Sequence, residues 1–208
     1  MSASKVVFEN KEFNNERLLI TDKDSLYVFR SNVILRGCAL VMRVSARNLI
    51  IHEKTRFIDC TFEVNQELKN YQAWVRASLT GCRFKGRLSS CDFGHWPDYG
   101  TGCEHGFIED CDFTEARLDG CRFMGCDPTT LRFPKWPCFT ILDPIGQASR
   151  LRKAQWPDLF GRLVIDDLHQ RPPPTRALTY FAPAMAKRCE TTPEALKAVI
   201  DRFDCILW

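Results

Sequence analysis

Large apolar residues recur along this chain every five positions, a spacing that suits neither an amphipathic helix nor a plain alternating strand. From residue 106 to residue 133 they fall at Ile108, Phe113, Leu118, Phe123 and Phe133, with Pro128 in the remaining slot. Two positions ahead of each stands Gly106, Cys111, Ala116, Cys121, Cys126 or Leu131, so that slot is small in five of six cases. A longer period encloses the short one. Leu35, Phe57 and Leu79 are 22 apart, as are Leu40, Phe62 and Phe84, and Cys38, Cys60 and Cys82 keep the same step; farther on, Phe93, Phe113 and Phe133 step by 20. A chain that repeats a side every five residues and a turn every four sides winds a square coil.

Packing explains the composition of the repeat. A narrow square coil takes one large and one small apolar residue per side, because interiors fill at about 0.74 density and two large groups do not fit. Cysteine is compact and readily buried, which suits the small slot. Each buried Phe or Leu stabilises the coil by roughly 1.5–3 kcal/mol. Stacked coils cover one another's edges and leave two ends that need caps. Of the 11 cysteines, seven (Cys38, Cys60, Cys82, Cys91, Cys111, Cys121 and Cys126) sit in the small slot, and no Cys-x-x-Cys occurs. These seven are read as packing residues rather than redox or metal groups.

The triplets Cys82-Arg83-Phe84, Cys91-Asp92-Phe93, Cys111-Asp112-Phe113, Ala116-Arg117-Leu118 and Cys121-Arg122-Phe123 resemble the Ala-(Asp/Asn)-Leu-x-x consensus of the pentapeptide-repeat proteins. Weaker matches run from Val33 to Leu35, Cys38 to Leu40, Thr55 to Phe57, Cys60 to Phe62 and Ala77 to Leu79. The resemblance spans about residues 30 to 140 and is degenerate before residue 80. It implies a mainly β fold, a right-handed quadrilateral β-helix, with bulges or loops interrupting the early coils.

The flanks divide the chain into three parts. Residues 1–32 hold short apolar segments, Lys5 to Phe8 and Leu18 to Ile20, assigned to a strand or turn cap. The repeat occupies 33–140. Residues 141–208 are assigned to a helical C-terminal cap: Asp143-Pro144-Ile145-Gly146 reads as a turn, Pro172 to Pro174 as a breaker, and Leu151 to Trp156 with Leu159 to Leu168 as helical stretches. The last helix is the clearest. Thr191 with Glu194 fits a capping box, or Thr192 caps with Pro193 at the first position, and Leu196, Val199, Ile200, Phe203 and Leu207 form one apolar stripe. That stripe either covers the last coil or pairs two chains, the homodimer seen in some pentapeptide-repeat proteins.

Charge and chemistry narrow the function. The chain has 208 residues, 45% apolar and 26% charged, which fits one domain with an appendage. Its 29 basic and 26 acidic residues give a net +3, and the coil region alone is +1, so no electrostatic footprint for nucleic acid appears. No apolar run approaches the ~20 residues of a membrane span. The start lacks a secretory pattern, and the odd number of thiols fits a reducing compartment, so a cytoplasmic location is expected. No Gly-x-Gly-x-x-Gly, Walker loop, Gly-x-Ser-x-Gly or His-Glu-x-x-His is present, so no enzyme activity and no cofactor are expected. His95, Cys103 and His105 form the one metal-capable group, and their spacing matches no familiar zinc arrangement. No metal site is assigned, and a zinc enzyme of unknown reaction stays a distant alternative.

What remains is surface. Two stretches break the repeat: Asn65 to Val75, with Tyr71 and Trp74, and Gly94 to Cys103, with Trp96 and Tyr99. Aromatic residues on loops held by a rigid scaffold suit protein recognition, while Trp74 and Trp96 fit equally well as plugs in the coil's flank. Arg83, Lys85 and Arg87 on one coil and Glu109, Asp110, Asp112 and Glu115 on a later one complete a candidate partner-binding set. Together with the family resemblance this points to a non-enzymatic bacterial module that masks a partner protein. One such role is an immunity protein neutralising a toxin enzyme. The alternative implied by the same resemblance is a DNA mimic that binds a topoisomerase, which calls for dense negative charge.

Overall fold

The computed structural model describes residues 4–157 and 159–208. Its strands succeed one another as sides of stacked coils. The first coil is β1 (Ser4–Phe8), β2 (Glu12–Asn14) and β3 (Arg17–Ile20), and the second β4 (Ser25–Phe29), β5 (Ile34–Arg36) and β6 (Ala39–Met42). Next come β7 (Leu49–Ile51), β8 (Arg56–Ile58) and β9 (Thr61–Lys69), then β10 (Ser78–Thr80), β11 (Arg83–Ser89) and β12 (Asp92–Gly94), and last β13 (Phe107–Glu109), β14 (Asp112–Asp119) and β15 (Cys121–Met124). Pairing between coils is parallel. One face stacks β2-β5-β8-β10-β13 and the next β3-β6-β9-β11-β14, five strands each and hence about four turns. β1, β4 and β7 begin another face; the 3-10 turn Ala73–Arg76 contacts both β7 and β12, and β12 and β15 continue from it.

The residues assigned to an N-terminal cap are therefore coil. Ser4 to Phe8 pairs in register with Ser25 to Phe29, and Arg17 to Ile20 with Ala39 to Met42, so a step of 21 or 22 residues extends back to the start of the described chain. The Phe93, Phe113 and Phe133 column is also corrected. Leu79 pairs with Ile108, and Phe93 with Phe123, because the His95 to His105 loop lengthens that turn to 29 or 30 residues.

Corners explain residues that the pentad leaves free. Three columns of positive φ, between 47° and 65°, mark them: Asn10, Asn32 and Lys54; Asn15, Gly37, Asp59, Gly81 and Asp110; Asn70, Ser90 and Gly120. Asn, Asp and Gly tolerate this left-handed conformation, so each column is rich in them.

Inside, the rings stack along the axis. Phe62, Phe84 and Phe113 lie parallel at 4.6 and 4.7 Å, and Trp74, Phe93 and Phe123 do so at 6.0 and 5.3 Å, with edge contacts between the two columns. Cysteines fill the small slots. Cys60, Cys82 and Cys111 donate their thiols to Leu35, Phe57 and Leu79 carbonyls of the coil below, at 3.4 to 3.7 Å. Cys91, Cys121 and Cys138 do the same to Leu68, Leu88 and Leu118. Six of the seven slot cysteines are buried and Cys126 is half-buried; Cys138, beyond the repeat, joins the second ladder.

The C-terminal part is less helical than its composition implies. β16 (Cys138–Leu142), β17 (Thr175–Phe181) and β18 (Ile206–Leu207) run antiparallel and extend the β12-β15 face past the last coil. The presumed turn at Asp143 starts α1 (Pro144–Leu151), with Asp143 accepting from the Gly146 N–H and Pro144 at the first position. Of the stretch expected to be helical from Leu159 to Leu168, Gly161–Ile165 forms a five-residue π-helix, and α2 (Ala182–Arg188) follows β17. The last helix, α3 (Pro193–Ile200), is capped by Thr192 and ends seven residues before Leu207. Leu196 and Ile200 are buried in the same chain with Phe139, Leu151, Phe160 and Met185. That burial makes the helix part of the cap, while Leu207, the last residue of the expected stripe, lies in β18 and stays exposed.

Candidate protein-binding surface

The face carrying β3, β6, β9, β11 and β14 projects alternate residues outward. In register, those residues pair across coils. Arg83 stands opposite Asp112 with a 3.8 Å contact, Lys85 meets Glu115 at 3.0 Å, and Arg17 reaches Glu63 at 3.1 Å. Arg83 and Lys85 of the expected basic patch thus compensate Asp112 and Glu115 of the acidic one within one face, while Arg87, Glu109 and Asp110 take no part in that pairing. Exposed pairs of this kind contribute about 0–1 kcal/mol each. Asp112 is tied further: burial raises its pKa, but the Thr114 N–H and hydroxyl and the charges of Arg83 and Arg132 outweigh it and hold the carboxyl below its ordinary value. Glu109 is exposed, and Asp110 is exposed at a corner with φ of 52°.

The aromatic candidates separate by burial. Trp74 is fully buried, edge-on to Phe62 and Phe84 and parallel to Phe93, so it plugs the coil where one outer face gives way to the next. Tyr71 is buried against it at 5.3 Å. Trp74 is thereby closed to a partner, whereas Tyr71, though buried, lines a hollow on the flank. Trp96 is half-buried between Tyr99, at 4.7 Å, and the Arg122 guanidinium, at 5.1 Å. Tyr99 remains 42% exposed. His95, Cys103 and His105 do not converge: Cys103 is buried, the His95 ring contacts the Gly106 carbonyl, and no group of three or more metal-capable side chains forms among the described residues.

The surface feature that sequence reasoning missed is a notch. β6 crosses to β7 through the short turn Ala46–Asn48, whereas β9 runs on to Lys69, so the third coil overhangs the second. The hollow beneath holds about 700 Å³ and is lined by Arg47, Glu67, Lys69 and Arg87 among others. A second hollow of about 420 Å³ shares Ala46 and Arg47 and adds Ile50, Arg76 and Tyr99. Four cations thus stand against one carboxylate, Glu67. That carboxyl is held below its ordinary value first by the Ser89 hydroxyl, which donates at 2.6 Å, against the opposing effect of burial, with Lys69 and Arg87 helping. The only sequence signals were the unequal lengths between Met42 and Leu49 and between Val64 and Ala73, which no periodicity resolves.

Parallel coils, one inward ring per side, small residues in the alternate slots and left-handed corners together decide the architecture. The fold is a β-solenoid. No protein-family model matches the chain, and no curated protein does. Among solved structures it is similar to QnrB1, a plasmid-mediated fluoroquinolone resistance protein, at 12% identity over 63% of this chain and 78% of that one, with a TM-score of 0.24. An overlap that loose carries nothing of that protein's biology across. No helix of the described solenoid and cap is long and apolar enough to cross a membrane.

Proposed function

We propose that this solenoid is a non-enzymatic binding module that masks an acidic surface of a partner protein. The observation behind this reading is the notch, whose two hollows share Arg47, one adding Arg87 and the other Arg76, Ile50 and Tyr99, on a rigid support. Arginine and tyrosine are the residues that most often anchor protein interfaces, and a surplus of one charge steers and selects the partner. The ion-paired face beside it is already compensated and offers less. As an immunity protein, the chain would neutralise a toxin encoded beside it. Purified protein then forms a one-to-one complex with that gene product, and Arg47→Glu with Arg87→Glu weakens it at least tenfold. Failure of neighbouring gene products to bind, or indifference to both reversals, rejects the reading.

A second reading, a DNA mimic engaging a topoisomerase, rests on the exposed carboxylates Glu104, Glu109, Asp110 and Glu115 around the last coil. It predicts that excess protein alters gyrase supercoiling and that neutralising Glu109 and Asp110 abolishes the effect. Unchanged supercoiling removes it.

A further inference from the structure

Between the later coils and the cap lies a third, smaller pocket of about 260 Å³. From the coils it receives Gln72, Ser90, Asp92 and Arg122, and from the cap Arg171, Tyr180 and Arg188, with Leu163, Val164, Leu178 and Met185 as an apolar wall. Its charges are not balanced. Asp92, only 1% exposed, accepts two hydrogen bonds from Arg122, at 2.6 and 2.7 Å, and so consumes one guanidinium. Arg188 is held loosely, 3.6 Å from Asp119, which is not among the lining residues. Arg171 has no carboxylate partner among the described residues; one amino group lies 3.5 Å from the Tyr180 hydroxyl, and its Nε is buried with no hydrogen bond. A buried unpaired donor of this kind is destabilising unless something accepts from it.

We propose that this pocket binds a small organic phosphomonoester, with Arg171, Arg188 and Tyr180 as donors to the phosphate and the Leu163, Val164, Leu178 and Met185 wall against the organic part. Of the three lining arginines, Arg122 is taken by Asp92 and Arg188 is partly offset by Asp119 at 3.6 Å, so the surplus centres on Arg171 and extends to Arg188. A phosphomonoester carries about −1.5 to −2 near neutral pH and three acceptor oxygens, enough to serve both guanidinium groups and the Tyr180 hydroxyl; a carboxylate offers less charge and fewer acceptors. Guanidinium forks bind such oxygens with charge-assisted hydrogen bonds, about twice as strong as neutral ones. The volume lies just under the ~300–1,000 Å³ of ordinary small-molecule pockets, so a compact molecule fits and a dinucleotide does not. Because the pocket joins coil to cap, its occupant ties the two together. The proposal does not depend on the partner-binding role of the notch.

Calorimetric titration of the full chain with phenyl phosphate, inorganic phosphate and benzoate at fixed ionic strength tests it. Saturable one-to-one binding of phenyl phosphate, tighter than either other probe, is expected. Arg171→Met weakens it at least tenfold, while Arg162→Ala, outside the pocket, leaves it unchanged. Should Arg171→Met fail to fold, the unaltered protein is treated with phenylglyoxal and its arginines mapped by mass spectrometry: phenyl phosphate protects Arg171 and Arg188 and not Arg162. Absence of saturable binding, benzoate binding as tightly as phenyl phosphate, unchanged affinity in Arg171→Met, or equal protection of all arginines overturns the proposal.

Discussion

Replacing Phe84 by alanine opens a hole at the centre of the ring stack. Its side chain is fully buried, parallel to Phe62 and Phe113 at 4.6 and 4.7 Å and edge-on to Trp74 and Phe93 at 5.6 and 5.4 Å. Truncating Phe to Ala in a packed core costs about 3–5 kcal/mol, and ring pairs contribute about 0.5–1.5 kcal/mol beyond their buried area. Hydrogen-bonded coils on both sides resist collapse into the hole. We therefore expect the upper end, about 5 kcal/mol. In urea denaturation, with slopes of about 1–3 kcal/mol/M, the midpoint falls by roughly 2 M. Two controls sharpen the test. Lys85→Ala, the next residue but outward and paired with Glu115 at 3.0 Å, costs less than about 1 kcal/mol. Phe13→Ala, in the first coil with one ring neighbour, Phe8 at 5.5 Å, costs less than Phe84→Ala. If Phe84→Ala costs no more than Lys85→Ala, the ring column does not hold the coils together and the packing account fails.

Four further outcomes follow from the same geometry. Asp92→Asn strips the Arg122 guanidinium of its charged partner and lowers stability by about 2–4 kcal/mol in denaturant titration, below the 3–5 kcal/mol of a fully buried pair because Arg122 keeps some solvent; no loss refutes the pairing. Gly106→Ala lowers the melting temperature by several degrees, since a Cβ there would lie 2.0 Å from the Val75 carbonyl oxygen and 2.4 Å from that of Gly94; an unchanged melting temperature contradicts the close approach. Stability against pH has two limbs. Glu67, depressed in the fold, contributes fully above its ordinary 4.5 and loses that contribution as pH falls through the lower folded value, while Cys121, raised by burial first, contributes below its ordinary 9.0 and loses it as pH climbs toward the folded value. Melting temperatures should plateau between those limits, and a maximum outside them is inconsistent with either shift. Finally, iodoacetamide at pH 8 labels the native protein slowly and at Cys126 first, its thiol pushed up to about 11 by burial and Asp127, while denatured protein takes 11 labels by intact mass; rapid native labelling of Cys82 or Cys121 excludes the interior ladders.

The coil was legible because its rule is local. Cys111 and Phe113 announce one side of the prism without knowing which residues lie above or below. Register is not local, and every misreading came from it or from burial. The step of 20 joined Phe93 to Phe113, whereas the His95 to His105 loop adds enough chain to seat Phe93 under Phe123. β16 and β17 escaped notice because both faces are covered, so Cys138 to Leu142 and Thr175 to Phe181 lack the alternation of a half-exposed strand. Trp74 fitted a recognition loop and a plug equally well, and only the space between β7 and β12 decided for the plug.

Surface chemistry in a solenoid inherits that dependence on register. Arg83 and Asp112 are 29 positions apart, yet they are neighbours because Phe84 and Phe113, the next residues on the same two strands, stack and fix the register. Insertions between sides leave both the inward pattern and the outward pairing of each strand intact. They also create the local relief, as where β9 overruns the turn at Ala46–Asn48 and opens the notch. The core therefore constrains the fold almost independently of the surface, and lengthening or shortening a corner is enough to change what the prism presents to a partner.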